Sequence, residues 1–427
     1  MREMKDSGIE WIGEIPAGWK VKKIKHSFSI IAGATPKSEV PEFWDGDIAW
    51  ITPADYKTAD VYVAGGKRNL SQAGYDSCGT TLIPSGSIVF SKRAPIGSVA
   101  INTNDLCTNQ GCLSCVPKCE CVTKYFYYMM SVFTEIFNLF GTGTTFKEIS
   151  ADNFANFSLP FPEIIEQHQI VSYLDQKCAE IDAVIAKTKA TIEEYRKLRQ
   201  SIVTDAVTKG IRGDRPMKDS GIEWIGDIPA EWDVVRIKTL FDYRNERNFK
   251  PLEEVNLISL YTDLGVVQHC DLEATTGNKA SNADGYKLVY EDDIVVNIIL
   301  CWMGAIGRSA YTGVTSPAYD VYSPKEGTNT KFYHHLFRTQ GFSGDCYKVG
   351  RGIMAMRWRT YSDQFRAIKV VAPPQEEQQV IVDYLDKKCA EIDTLIAKKT
   401  ALLEEMESYK KSVIYEYVTG KKEVECF

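Results

Sequence analysis

Two long stretches of the chain carry the same pattern of apolar and polar positions. Between about Pro162 and Thr208, and again between Pro374 and Gly420, apolar residues recur at intervals of four and three. This heptad repeat is typical of an α-helix whose apolar stripe faces a partner helix. The predicted helix–helix seam consists of Leu174, Cys178, Ile181, Ile185 and Ile192 in the first stretch and Leu385, Cys389, Ile392, Ile396 and Leu403 in the second.

The length and the interruptions of these stretches favour a pair of helices. A helix of this length reaches roughly 60 to 70 Å at 1.5 Å per residue, so a small domain cannot cover its stripe alone. Polar residues interrupt both seams at matching places, Thr188 and Arg199 in the first and Lys399 and Lys410 in the second. Shared interruptions favour pairing of the two helices with each other. The alternative is an ordinary amphipathic helix on each of two separate domains.

The amino-acid sequence at the start of each predicted domain is also duplicated. The opening MKDSGIEWIGEIPAGWKVKKIK at residues 4–25 returns as MKDSGIEWIGDIPAEWDVVRIK at residues 217–238. A period of about two hundred residues is too long for a solenoid, so each copy is predicted to be a domain followed by a helix. The predicted division is a first domain at 1–161, a helix at 162–208, a second domain at 209–373 and a helix at 374–420.

Each predicted domain is mixed in structure and mainly β. Short apolar stretches alternate with Gly, Pro, Asn and Asp, which is typical of strands and turns. A helix is predicted at residues 123–140 and another near 331–342, and polar loops are predicted at 141–154 and 350–365. SKRAPIGSVAI (91–101) and CWMGAIGRSAY (301–311) are predicted to occupy equivalent positions. The framework thus repeats while its polar tips differ.

The order of the segments predicts the topology. The linker KGIRGDRPMKDSG after the first helix is short and rich in Gly, so the second domain must start near the end of that helix. The second helix then has to run back along the first. The predicted fold class is α+β, with two pseudo-repeated, mainly-β domains at opposite ends of an antiparallel two-helix coiled coil. Such a shape suits two DNA half-sites about one helical turn, roughly 34 to 36 Å, apart.

Composition narrows the possible functions. The formal net charge is −7, which argues against a polybasic nucleic-acid-wrapping protein but leaves room for local basic faces. No run of eighteen apolar residues and no apolar signal core are present, so we expect a cytoplasmic protein without membrane partners. Cys112, Cys115, Cys119 and Cys121 form a CxxC followed by a CxC that could hold zinc, but Cys112 and Cys115 lie in a predicted strand, where residues three apart point to opposite faces. We therefore predict reduced thiols and no metal site.

The chain contains no motif that predicts catalysis. A GxxxxGK[ST] phosphate loop is absent, and so is the Asn/Asp-Pro-Pro-aromatic stretch that grips a flipped adenine. The histidines follow no pattern for a metal site or a nucleophile. We predict no catalytic residue and no cofactor on this chain.

Several polar residues in the loops have the chemistry to contact DNA. Arginine can bind guanine O6 and N7 bidentately, and threonine hydroxyls can bond to several base edges. The alternative is that these residues are solvated loop charges. The predicted DNA-binding residues are Lys92, Arg93, Thr142, Thr144, Thr145 and Lys147 in the first domain and Arg244, Arg247, Arg308, Arg351, Arg357, Trp358 and Arg359 in the second.

The doubled motifs resemble those of a known family. GIEWIGEIPAGW and GIEWIGDIPAEW, GSIVFSKRAPIG and TSPAYDVY, and YLDQKCAEID and YLDKKCAEID are similar to segments of specificity subunits of type I restriction–modification systems. The resemblance covers nearly the whole chain. It implies two target recognition domains, each of which reads one half of a bipartite, asymmetric site in double-stranded DNA, with the paired helices as spacer.

The resemblance also implies partners. Two methyltransferase (modification) subunits are expected to dock on the helices, and two restriction (motor-nuclease) subunits are expected in a complex that also cleaves DNA. Adenine methylation and ATP-dependent cleavage then belong to those subunits, which use S-adenosylmethionine, ATP and Mg²⁺. The alternatives are a methylation-only complex without a restriction partner, a structural coiled-coil scaffold, and a lone methyltransferase or nuclease.

Overall fold

The chain folds into two compact units in a computed structural model. The structure describes residues 2–57, 59–143, 147–269, 282–352 and 358–424. The first unit consists of Met1–Lys189 and Ala401–Phe427, and the second consists of Ala190–Thr400. Each unit therefore contains one mixed domain and one part of each long helix. The division of the chain into four segments stays a prediction.

Helices occur at corresponding places in the two units. In chain order they are α1 (Ile24–Ser27), α2 (Gln72–Asp76), α3 (Thr123–Val132), α4 (Thr134–Leu139), α5 (Ala151–Ala155), α6 (Ile164–Lys209), α7 (Ile237–Leu240), α8 (Thr330–Phe337), α9 (Gln340–Val349), α10 (Ser362–Ala367) and α11 (Gln375–Val418). The two long helices, α6 and α11, contain 46 and 44 residues without interruption.

The strands of the first unit are β1 (Met4–Asp6), β2 (Glu14–Pro16), β3 (Lys20–Lys23), β4 (Phe28–Ala32), β5 (Trp44–Ile51), β6 (Tyr62–Val63), β7 (Arg68–Leu70), β8 (Ile88–Ser91), β9 (Val99–Asn102), β10 (Cys107–Thr108), β11 (Cys112–Pro117) and β12 (Ser158–Phe161). Those of the second unit are β13 (Met217–Asp219), β14 (Asp227–Pro229), β15 (Asp233–Arg236), β16 (Phe241–Arg244), β17 (Ile258–Tyr261), β18 (Gly265–Gln268), β19 (Lys287–Val289), β20 (Ile294–Asn297), β21 (Ile306–Arg308), β22 (Gly313–Thr315), β23 (Tyr319–Pro324) and β24 (Lys369–Ala372).

The sheets repeat as the duplicated sequence predicts. The central sheet has the order β4-β11-β8-β9-β6 in the first unit and β16-β23-β20-β21 in the second. The hairpins β1–β2 and β13–β14 are antiparallel with matching register, as are the pairs β3–β12 and β15–β24. The first unit adds the small sheet β10-β5-β7, and the second adds the pairs β17–β18 and β19–β22. The fold is mixed helix and strand, with a repeated domain and a long helix after each copy.

The central strands are fully buried because they separate two apolar cores. On β8, Ile88 and Phe90 point into the core that holds α3 and the long helices, while Val89 points into a second core. On β20, Ile294 and Val296 likewise face one core and Val295 faces another. Burial on both faces explains why these strands are continuous apolar runs rather than alternating ones.

Within each unit the long helices pack antiparallel. In the first unit the Tyr173 and Tyr417 rings are 4.3 Å apart, and Asp182 binds Lys410 at 2.7 Å. In the second unit Arg199 Nε lies 3.0 Å from Asp393 Oδ1. Residue numbers thus rise along one helix as they fall along the other. Of the predicted seam residues, Ile185, Ile396 and Leu403 are half-buried, and the other seven are buried.

A carboxylate near the start of each long helix binds the opening hairpin of its unit. Glu377 accepts hydrogen bonds from Trp232 Nε1 (2.8 Å) and Arg215 Nη1 (2.6 Å), and Arg215 Nη2 donates to the Lys209 carbonyl at the end of α6 (2.9 Å). In the first unit Glu166 binds Trp19 and Arg2 in the same way, and Arg2 donates to the carbonyl of Gly420. Each arginine therefore connects the start of one long helix to the end of the other.

Some elements differ from the sequence prediction. The helix predicted at 123–140 is two helices, because the backbone at Phe133 leaves helical geometry (φ −98°, ψ 15°). α9 was not predicted, and its start is capped by Thr339, whose hydroxyl accepts from the Phe342 amide. Short helices α5 and α10 occupy the ends of the two predicted loops, and Ser150 caps α5. At these places capping hydrogen bonds allow a short helix to form although the polar composition predicts a loop.

Cys112 and Cys115 lie on opposite faces of β11. Cys112 packs in the core with Tyr56, whereas Cys115 packs in the core with α3. Burial raises the pKa of the Cys112 thiol to about 12.

Among the described residues, no group of three or more His, Cys, Asp or Glu side chains is arranged to hold a metal ion. No helix in this part of the chain is long and apolar enough to cross a membrane.

His334 and His335 lie side by side on α8 as neutral rings. Burial is the main cause of a pKa lowered to about 3 for His334 and about 4 for His335, and the positive charges of Arg338 and Arg199 contribute to both values. The Arg308 amide donates to Nδ1 of His334 at 3.1 Å, which requires an unprotonated nitrogen. The negative charge of Asp386 raises the pKa of His335 and so offsets part of this lowering. The folded second unit therefore binds fewer protons than its unfolded chain below neutral pH.

We expect Glu377→Ala to destabilise the second unit by about 3 kcal/mol, because the buried Arg215 would lose its main carboxylate partner. The Glu377 side chain is 6% exposed, whereas that of Glu166 is 29% exposed. Glu166→Ala, the matched control, should therefore lower the free energy of unfolding by a smaller amount. Urea unfolding followed by circular dichroism measures both losses. Equal losses would contradict this account.

Acidification should also destabilise the second unit. The unfolded histidines take up protons below about pH 6.5, while the folded ones do so only near pH 3 to 4, so stability falls as the pH drops through this window. The expected loss is on the order of 1–2 kcal/mol per histidine by about pH 5. Thermal unfolding between pH 8 and pH 5 measures it. His335→Gln should flatten the dependence, and an unchanged slope in that variant would refute the assignment.

Candidate nucleic-acid interface

In the first unit two connections meet and bring predicted DNA-binding residues together. The β8–β9 connection (residues 92–98) carries Lys92 and Arg93, and the loop between α4 and α5 carries Thr142 and Lys147. The amides of Thr142 and Glu148 each donate to the other's carbonyl at 3.0 Å, which closes the loop. The Ile149 amide donates to the Lys92 carbonyl at 3.1 Å and fixes the loop against the connection. Thr142 and Lys147 are exposed, and Thr144 and Thr145 lie outside the described residues.

One carboxylate neutralises part of the positive charge of this surface. Glu148 binds Lys92 Nζ at 2.7 Å and Arg93 Nη1 at 3.5 Å. The hydrogen bond from Lys92 is the largest cause of a lowered pKa of Glu148. Lys92 is only 16% exposed, so it mainly positions Glu148, whereas Arg93 and Lys147 are better placed to meet a ligand. Sequence reasoning missed Glu148, although an acid between two predicted contact segments was a visible signal.

In the second unit the same backbone arrangement presents different side chains. The amides of Arg351 and Arg359 each donate to the other's carbonyl at 2.8 and 2.9 Å, and the Thr360 amide donates to the Ile298 carbonyl at 2.9 Å. Arg351, Arg359 and Thr360 thus correspond to Thr142, Glu148 and Ile149 of the first unit. Both arginines are exposed and have no salt bridge within the described part of the chain. Arg357 lies outside the described residues.

The side chain of Trp358 packs against Tyr347 and thereby supports this loop. Its ring stacks on Tyr347 at 5.0 Å, and its Nε1 donates to the Tyr347 carbonyl at 3.1 Å. A Cβ at Gly350 would come within 2.3 Å of the same indole nitrogen, so glycine is required there. Trp302 packs against the other side of Tyr347 at 5.7 Å. The structure therefore shows Trp358 packed against the end of α9, where it supports the loop.

The β20–β21 connection (residues 298–305) shows where the predicted alignment is wrong. Ile88 pairs with Ile101 in the first unit, and Ile294 pairs with Arg308 in the second. Arg308 therefore corresponds to Ile101, three residues away from the position predicted by matching SKRAPIGSVAI to CWMGAIGRSAY. The similarity of the two segments is therefore out of register with the strand pairing, and the second connection is also one residue longer than the first. Arg308 consequently lies at one end of the strands. The loop that carries Arg351 and Arg359, which we call the Arg351 loop, lies at the other end.

The remaining predicted arginines are engaged in contacts within the second unit. Arg308 binds Asp292, and Arg244 Nε binds the buried Asp293 at 2.9 Å. Arg247 donates to the Gly285 carbonyl at 3.0 Å and to Asn245. Asp292 and Asp293 precede β20, whereas the Arg351 loop contacts the residue that follows it. The structure therefore does not place Arg244 and Arg308 at the Arg351 loop.

Comparison with known proteins places this duplicated arrangement in a family. Residues 16–194 and 229–405 match the family described as "Type I restriction modification DNA specificity domain". The type I restriction enzyme MjaIX specificity subunit of Methanocaldococcus jannaschii is 31% identical over 244 residues, which cover 56% of this chain and 55% of that protein. The putative MjaX specificity subunit of the same organism is 25% identical over 96% of this chain and 95% of its own length.

Solved structures share the fold. A chain from a study of complex assembly and conformational transition of the type I R-M system has a TM-score of 0.70 at 13% identity, with 96% of this chain and 99% of that chain covered. The HsdS subunit from Thermoanaerobacter tengcongensis has a TM-score of 0.51 at 15% identity, with 96% and 98% covered. The family match spans both copies of the repeat and confirms the resemblance, including the prediction of a DNA-recognition subunit rather than an enzyme. The chain belongs to the type I restriction–modification DNA specificity family.

Proposed function

We propose that this chain recognises a bipartite, asymmetric sequence in double-stranded DNA, with one half-site read by each repeated domain. The observation that carries the proposal is the equivalent pair of loops. Their backbones are held by the same hydrogen bonds, while Thr142 and Glu148 in one copy are replaced by Arg351 and Arg359 in the other. One framework with two different sets of hydrogen-bonding groups suits the reading of two unlike half-sites.

The two loops differ in what they can recognise. Arg351 and Arg359 are exposed and unpaired among the described residues, so either can bind guanine O6 and N7 bidentately. In the first unit Arg93 shares Glu148 with Lys92, and a carboxylate can accept from the cytosine amino group. Lys147 supplies a further cation for phosphate. Arg244, Arg247 and Arg308 can contribute only if their internal partners are exchanged for DNA.

We further propose that α6 and α11 form the spacer between the half-sites, as an antiparallel coiled coil with one domain at each end. Asp182–Lys410 and Arg199–Asp393 support this proposal because both pairs have the same sum of residue numbers, 592, and therefore one helix register. Two methyltransferase subunits would dock on this chain, and two restriction subunits would join in a complex that also cleaves DNA. S-adenosylmethionine, ATP and Mg²⁺ would bind to those subunits. The cytoplasmic location stays a prediction.

We expect the double variant Arg351→Ala/Arg359→Ala to relax one half-site only. With its methyltransferase subunit, the variant should methylate a site library with the first half-word unchanged and with discrimination of about 1–3 kcal/mol lost per guanine contact in the second. Arg236→Ala, which removes an exposed arginine on β15, is the matched control and should leave both words intact. A single contiguous word, or equal loss in the control, would refute the proposal.

If the long helices are the spacer, shortening them should change the distance between the two half-sites but not their base sequences. Removing the heptads 189–195 and 397–403 together keeps the register set by the two ion pairs and removes no residue of the apolar cores. The spacer should shorten by about 10 Å, or about three base pairs. Methylation of a library with variable gaps measures the shift. Deletion from α6 alone should abolish methylation, and an unchanged gap in the double deletion would exclude the role.

A further inference from the structure

A cavity rich in arginine and histidine lies inside the second unit, away from the Arg351 loop. It has a volume of about 360 Å³ and lies between α6, α8 and the turn that joins β17 to β18. Its basic lining residues are Arg196, Arg199, His334, His335 and Arg338, and the single carboxylate among the residues that line it is Asp263. We refer to it as the Arg–His cavity.

Arg338 brings an uncompensated positive charge to the Arg–His cavity. Its Nη1 donates to the Ile306 carbonyl at 3.0 Å, and its Nη2 donates to the carbonyls of Thr262 (2.7 Å) and Asp263 (3.0 Å). Main-chain carbonyls fix the guanidinium without neutralising it. No salt bridge to Arg338 occurs in the described part of the chain, and burial lowers its pKa from the usual value.

The arginines on α6 keep donors available to the cavity. Arg199 lies 3.0 Å from Asp393, but its Nε–H is not aligned for a hydrogen bond to any described residue. Arg196 binds only Glu193, one helical turn away on the exposed face. Both guanidinium groups are partly exposed, so they can turn toward a ligand without breaking a buried contact.

The corresponding groove of the first unit has a different chemistry. The shared helix register places Lys410 where the second unit has Arg199, and Asp182 where it has Asp393. Gln167 accepts from the Val122 amide just as Gln378 accepts from that of Asn329, which aligns α3 with α8. Tyr127 and Tyr128 therefore stand in the places of His334 and His335.

Three of the four lysines that line the corresponding groove of the first unit are paired with acids. Lys410 binds Asp182 at 2.7 Å, Lys124 binds Asp175 at 2.8 Å, and Lys189 lies 3.6 Å from Glu407. In the second unit Arg196 and Arg199 are also paired, with Glu193 and Asp393, but Arg338 has no salt bridge among the described residues. The unneutralised charge of Arg338 beside two neutral histidines is unfavourable for folding, and a bound anion would offset that cost.

We propose that the Arg–His cavity binds a phosphate-class oxyanion. Arginine guanidinium groups match the oxygens of phosphate in geometry and charge, and the neutral His334, whose Nδ1 accepts from the Arg308 amide, keeps Nε2–H as a further donor. A single phosphate group fits the volume. The source is either a small free phosphate or a phosphate of the DNA backbone. Because free phosphate can be tested without DNA, the inference stands independently of the proposed function.

The test uses the full chain with ring-labelled histidine and inorganic phosphate at neutral pH. The signals of His334 and His335 should shift saturably, and equal ionic strength from chloride should not reproduce the shift. Arg199→Gln should weaken phosphate binding at least tenfold. Lys410→Gln, which removes the equivalent ion pair in the first unit, is the matched control and should leave it unchanged. Arg196→Gln, which leaves the Arg199–Asp393 pair intact, should also weaken binding.

The outcomes separate the sources and the alternatives. If the anion is a DNA phosphate, Arg199→Gln should weaken DNA binding by the assembled methyltransferase complex and reduce the salt dependence by about one phosphate contact. If it is a free phosphate, DNA binding should be unchanged in that variant. Either result supports the oxyanion site. Shifts reproduced by chloride, or equal weakening in Lys410→Gln, would overturn it.

Discussion

The carboxylate at the start of each long helix holds its unit together. In the second unit Glu377 receives the indole N–H of Trp232 and the guanidinium of Arg215, and Arg215 also binds the last carbonyl of α6. One buried charge thus fixes a hairpin, a helix start and a helix end. A cation at a helix C-terminus is also favoured by the helix dipole. Without this contact the antiparallel register of the helices would depend on the apolar seam and on ion pairs such as Arg199–Asp393.

The duplication lets one framework support two chemistries. The strands, the long helices and the carboxylate contact are shared, whereas the loops and the grooves differ. At the loops, Thr142 and Glu148 become Arg351 and Arg359. At the grooves, Tyr127 and Tyr128 become His334 and His335. The varied residues of the loops are mostly exposed, whereas Tyr127 and Tyr128 belong to the apolar core of the first unit.

The sequence was informative where a pattern repeats and misleading where a local contact decides. The helical heptads, the doubled GIEWIG openings and the opposite faces of Cys112 and Cys115 could be predicted from periodicity. The break at Phe133 and the helix α9 could not, because a single backbone angle or a single cap decides them. The match of SKRAPIGSVAI to CWMGAIGRSAY misplaced Arg308 by three residues, because strand pairing and not the similarity of the two segments sets the register. Ion pairs such as Arg244–Asp293 also depend on contacts distant in sequence.

The attachment of the two loops has a consequence for how such proteins change. Main-chain bonds, Ile149 N–H to the Lys92 carbonyl and Thr360 N–H to the Ile298 carbonyl, hold each loop to its neighbouring connection. Amide and carbonyl groups are the same in every residue except proline, which lacks the amide hydrogen. Under the proposed function, substitutions at the tips would therefore alter recognition while these main-chain bonds persist. New specificities could accordingly evolve by point mutation at little cost to folding.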